Sequence, residues 1–248
     1  MDADPDPAPR GDSWGAVTLW TLVRGAARPA DEREAETAWH ALIERYREPV
    51  ARALARRLGP VYSAAVPDEF FSYLFMNRLL QRADPRQGRF RCFVQGILRN
   101  FAHSYRRSCS MFGSEIPAEL ATRGSPESDL ERADELDWAR SVLGVALEQL
   151  GREDARSRRV LVEYYGLLGA PKRSTEELAG ELGCRQGSVH VALHRARQRF
   201  EAALRHEVEQ TVSDAESFAS EYRLVVDRLQ GAFGAGVANW VDGIPPDP

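Results

Sequence analysis

Cysteine is scarce in this 248-residue chain: Cys92, Cys109 and Cys184 stand far apart, and no CxxC pair occurs. That usage excludes a disulfide framework and a zinc ribbon, and it fits a reducing compartment. His103 and Cys109 come nearest to a pair of metal ligands. Two are too few, so neither a metal nor a cofactor is expected. The chain also lacks a glycine-rich phosphate loop and a nucleophile–base pair, which argues against an enzyme. Long β-branched runs are missing, so no sheet is expected. There is no signal peptide and no apolar run of membrane length. The expectation is a cytoplasmic protein without membrane insertion. Positive charge is not in excess either: 33 Lys and Arg face 37 Asp and Glu, a net charge of −4. Such a chain is a poor free-standing, non-specific DNA binder, although it has room for local basic faces.

What remains is rich in Ala, Leu, Arg and Glu, the residues of helices, and its apolar positions recur at helical spacing. The expected fold is all-α: two small helical domains joined by a flexible linker. Residues 1–12 carry Pro and Asp and read as a disordered tail. A first domain spans 13–107. A short helix over Trp14–Val23 would dock through Trp14, Val17, Leu19, Trp20 and Val23. A long helix at about 34–58 has Leu42, Ile43, Tyr46, Val50 and Leu54 on one face and ends at Gly59-Pro60. The next helix, 68–82, has its acids in the first turn. Its apolar set (Phe70, Phe71, Tyr73, Leu74, Phe75) is too broad for one packing stripe, so it is either fully buried or shared between its own domain and a partner.

The helix at 89–107 has an inner stripe of Phe90, Phe93, Val94, Ile97, Phe101 and Tyr105. Gln95, Arg99, His103 and Arg106 recur on another stripe, and Arg89, Arg91 and Arg107 add charge. Arginines interleaved with aromatics suit single-stranded bases and adjacent phosphates. Residues 108–135 lose helical period, gather Ser, Gly, Pro and acids, and read as the linker.

The second domain, 136–211, contains the most informative stretch, Ser174 to Arg205. Ser174 and Glu177 form a capping-box pair, so a helix starts at Thr175. Counting from Thr175, a small residue falls fifth (Ala179), a glycine ninth (Gly183) and a β-branched residue fifteenth (Val189). A helix-turn-helix needs those types there: close approach of the helices, a turn, and packing of the second helix onto the first. Opposite the apolar stripe Val189, Leu193, Ala196 and Phe200 lie Arg185, Gln186, Ser188, His190, His194, Arg195 and Arg197. These side chains suit base edges and phosphates in a major groove. Residues 212–248 form an extension, with an amphipathic segment at 212–231 read as extra packing on the second domain and a loose tail.

The ordered series TLWTLV (18–23), ALIERYREPV (41–50), EFFSYLF (69–75), ADPRQGRFRCFVQGILRNF (83–101), the stretch from Ser174 and LRHEVEQTVSD (204–214) resembles bacterial RNA polymerase sigma factors of the extracytoplasmic-function group. The resemblance covers about 14–230. It implies that 13–107 is the domain that binds core polymerase and the minus-ten element, and that 136–211 reads the minus-thirty-five element. Asp68, Glu69, Phe71, Leu74 and Phe75 would be exposed to dock on core polymerase. Arg89, Arg91, Arg99, Asn100, His103, Arg106 and Arg107 would hold the opened strand, with Asn100 near a flipped base. Three departures stand out: Ala64 and Ala65 replace an acidic pair, Ser104 replaces an acid or amide, and Arg185 replaces a serine. The implied function is promoter recognition, DNA opening and transcription initiation. The partners are core RNA polymerase and promoter DNA, with room for an anti-sigma factor or other regulator. The alternative is a stand-alone helix-turn-helix regulator, which would leave the basic 89–107 helix unused.

Overall fold

The computed structural model describes residues 19–84, 86, 89–111, 127–212 and 214–234. The expected tail at 1–12, Trp14, Val17 and the end of the chain lie outside them. All regular structure among the described residues is helical, and no helix is long and apolar enough to cross a membrane. In chain order the helices are α1 (Leu19–Ala27), α2 (Glu32–Leu58), α3 (Val66–Met76), α4 (Phe90–Met111), α5 (Glu127–Glu153), α6 (Ala155–Tyr165), α7 (Thr175–Glu181), α8 (Gln186–Glu209) and α9 (Ala215–Phe233).

Local chemistry explains the boundaries. Asp31 caps α2 by accepting from the Glu34 N–H at 2.7 Å, and Glu32 and Glu34 sit in the first turn where the helix dipole favours acids. Gly59 ends α2 with φ +55°, a backbone state that glycine enters without a Cβ clash. Pro67 lies in the first turn of α3, where its missing N–H costs no intrahelical bond. Asp154 and Asp214 cap α6 and α9.

α2 and α5, 27 residues each, form the spine. α1, α3 and α4 pack on α2; α6, α8 and α9 gather around α5; α7 lies on α8. One buried cluster runs through α1 to α6, α8 and α9, including Phe70, Leu54, Leu143, Leu147 and Phe200. Tyr46 of α2 stacks on Trp138 of α5, with ring centroids 5.7 Å apart and planes 11° apart. Burial there pushes the Tyr46 phenol up to about 12.

This arrangement trims the expected linker at its two ends. Residues 108–111 finish α4 and 127–135 begin α5; 112–126 lie outside the described residues. The acids of 127–135 have the composition of a linker, but their partners are on α2. Asp134 accepts from Arg57 and, at 2.6 Å, from Arg56. Asp137 pairs with Arg52 at 2.8 Å and Arg56 at 2.7 Å. The two halves therefore share one core and a buried ionic seam. The segment at 212–231 is α9, and it packs on both α5 and α8. It also reaches α4 of the first half, which the expected packing on the second domain did not include.

Candidate nucleic-acid interface

The stretch from Ser174 folds as two helices around a four-residue turn. Ser174 Oγ accepts from the Glu177 N–H at 3.2 Å, and Glu177 accepts in return from the Ser174 N–H at 2.7 Å. That backbone bond holds the Glu177 carboxyl below the usual carboxylate range. Gly183 takes φ +59°, and the Cys184 N–H closes the turn on Ala179 O at 3.0 Å. Ala179, Leu178, Val189 and Leu193 join Val160 in a small separate core. The spacing read from the sequence thus corresponds to packing: Ala179 is the small residue between the helices, and Val189 is the residue that seats α8.

On the outer face of α8, Arg185, Gln186, Ser188, His190, His194 and Arg195 are all exposed. Gln186 Nε2 also donates to Thr175 Oγ1 at 2.8 Å, which ties the start of α8 to α7. Val191, 51% exposed, lies among these polar groups. Arg197 is the exception. Its Nε donates to the Tyr165 hydroxyl at 2.8 Å, and its guanidinium lies 5.6 Å from the Tyr165 ring centroid. Four residues beyond buried Leu193, Arg197 borders the core stripe and packs against α6 instead of facing outward.

On α4, and at Arg89 just before it, the expected basic residues divide into two sets. Asn100, His103, Arg106 and Arg107 are exposed, and Arg107 lies 3.1 Å from His103 Nδ1. Arg89 and Arg91 are instead drawn in by acids of the second half, and Arg99, although 52% exposed, also meets one. Arg91 is only 6% exposed. It meets Glu221 of α9 through two bonds of 3.0 and 3.2 Å, with Glu135 of α5 at 3.5 Å. Burial alone would lower its pKa, but the Glu221 carboxylate more than compensates and raises it above the ordinary arginine value. Arg89 pairs with Glu221 at 3.1 Å and donates to the Ser220 hydroxyl. Arg99 reaches Glu131 of α5 at 3.3 Å.

The expected polymerase-docking set also divides. Asp68 is exposed beside Arg47, whose hydrogen bonds hold its carboxyl below the usual range. Glu69 and Phe75 are exposed, Phe75 at 61%, with Met76 next to it at 79%. Phe71 and Leu74 are not exposed: at 6% and 5% they belong to the core, with Phe70 between α2 and α4. A helix that packs on its own domain keeps its i, i+3 and i+4 positions inside, so Phe70, Phe71 and Leu74 turn inward together.

The acids Glu131, Glu135 and Glu221 were not legible as part of this face. One signal was available for Glu221: it lies three residues after Phe218, within the apolar stripe continued by Tyr222, Val225 and Leu229. An acid at a core position calls for a buried cation. Among the described residues no group of His, Cys, Asp or Glu side chains gathers to hold a metal ion. No protein-family model, curated protein or solved structure matches this chain.

Proposed function

We propose that this protein is a sigma factor: it binds core RNA polymerase and directs promoter recognition, DNA opening and transcription initiation. The observation that carries the reading is the pair α7–α8. Ala179, Gly183 and Val189 occupy packing and turn positions, while Arg185, Ser188, His190, His194 and Arg195 point away from that core. A rigid helix with cationic and hydrogen-bonding side chains on one exposed face has the chemistry for a major groove. On α4, Asn100, His103, Arg106 and Arg107 offer a second face suited to single-stranded DNA. The exposed Phe75 and Met76 at the end of α3, two turns from Asp68 and Glu69 in its first turn, supply an apolar patch for the polymerase. In this reading the net charge of −4 leaves the protein dependent on polymerase to stay on DNA.

One observation favours a second reading. Arg89, Arg91 and Arg99 are engaged by carboxylates, so α8 offers the freer basic surface, as in a stand-alone duplex-binding regulator. In vitro transcription separates the two. Purified protein added to core polymerase should give initiation at specific promoters, and duplex binding without polymerase should be weak. Failure to bind core polymerase at all refutes the sigma-factor reading. Tight duplex binding by the protein alone, with a steep salt dependence, selects the second.

A further inference from the structure

Three carboxylates from the second half of the chain sit on the basic face of α4, where that face would meet phosphates. Glu221 of α9 is fully buried and bridges Arg89 and Arg91. Glu135 of α5 stands 3.5 Å from Arg91, and Glu131 of α5 stands 3.3 Å from Arg99. A carboxylate meeting a guanidinium through two bonds uses the same donor fork that a phosphate uses. α9 is held in place from its other side as well. Arg228 donates to Glu135 at 2.6 and 3.0 Å, and Arg205 of α8 lies 4.9 Å from the Tyr222 ring centroid.

We infer that α9 is an intramolecular latch, with Glu221 acting as a phosphate mimic that keeps Arg89 and Arg91 from nucleic acid until α9 is displaced. The inference rests on the reading of α4 as a nucleic-acid face. It gives the C-terminal segment a role beyond packing: a strand and α9 compete for the same two guanidinium groups. The exposed set at Asn100, His103, Arg106 and Arg107 supplies a first foothold. Engagement of Arg89 and Arg91 then requires Glu221 to leave, so the closed chain binds weakly.

The test compares the full-length chain with Glu221→Gln and with Arg228→Glu. The first removes the mimic's charge. The second sets a new carboxylate against Glu135 and loosens α9 without touching any residue proposed to contact DNA. Circular dichroism checks that each variant is folded. Binding of a short fluorescein-labelled single-stranded DNA of mixed sequence is read by anisotropy over a range of salt. Both variants should bind on the order of tenfold tighter at low salt, and the slope of log K against log salt should steepen by about 1.4, the value for two added phosphate contacts on a single strand. Adding Arg89→Ala and Arg91→Ala to Glu221→Gln should remove both gains. If the folded Arg228→Glu variant and the unmodified chain bind with one affinity and one slope, the latch is overturned while α4 remains a nucleic-acid face. If no form binds the strand, with or without core polymerase, the reading of α4 fails and the latch fails with it.

Discussion

Replacing Asp134 by Ala tests the seam between the two halves. The Asp134 side chain is 4% exposed and that of Arg57 is 6% exposed, so solvent screens little of their interaction. In the variant, Arg57 keeps only a 3.3 Å bond to Ala53 O on its own helix. Arg56 retains Asp137 and, at 28% exposure, can turn towards water. Removing one partner of a buried pair costs about 3–5 kcal/mol, because the remaining charge stays desolvated. Since one of the two arginines keeps a partner, the lower end applies, about 3 kcal/mol. In a chain of this size each kcal/mol lowers Tm by about 2–4 °C, so the midpoint should fall by about 6–12 °C. Thermal and urea unfolding followed by circular dichroism measure this. Unmodified protein should unfold in a single transition that coincides between probes, because one core joins the halves. The double variant Asp134→Leu, Arg57→Leu should recover most of the loss, since an apolar pair leaves no buried charge. A loss below about 1 kcal/mol for Asp134→Ala would mean that the aspartate is solvated. The halves would then not be packed as described.

The remaining predictions concern the candidate DNA-reading helices and one cap. On the proposed sigma-factor reading, Arg185→Ala should weaken duplex binding in the presence of polymerase by about 1–3 kcal/mol and change promoter choice, while core polymerase binding stays intact; a gel-shift series with variant duplexes reads the first two. Gly183→Ala meets no atom within 4 Å but must adopt φ +59°, so thermal unfolding should show a loss of about 1–2 kcal/mol from backbone strain alone. Asp154 accepts from the Ser157 N–H at 3.0 Å and pairs with Arg199 at 2.7 Å, and its carboxyl is held below the ordinary value chiefly by that backbone bond. A depressed folded value means that its contribution is complete above the ordinary aspartate range and is lost as the pH falls through the folded value. Asp154→Asn should therefore be less stable than the unmodified protein at neutral pH, and the difference should vanish in acid, as measured by urea titrations across pH.

The legible features were those whose cause is local. Ser174 and Glu177 form the expected capping box because its two bonds span three residues. Gly183 turns left-handed because only the turn's own backbone decides it. Val189, Leu193, Ala196 and Phe200 are buried because a 3- and 4-residue spacing defines one helix face. The readings that needed correction depended on a partner distant in sequence. Phe71 and Leu74 read as exposed because the sequence does not say which side of α3 meets α2 and α4. Residues 127–135 read as linker because their acids have no local reason to be helical. Arg89 and Arg91 read as open to a strand because the acid that covers them lies on α9, 130 positions after Arg91.

By itself, then, the sequence determined the all-helical fold, the turn at Gly183 and the polar outer face of α8. Each follows from periodicity, capping and backbone sterics within a few residues. Tertiary structure alone decided that α2 and α5 share one core and an ionic seam, and that Glu221 occupies Arg89 and Arg91. The reason is physical: burying a charge is tolerable only where an opposite charge meets it, and that meeting depends on how the helices pack.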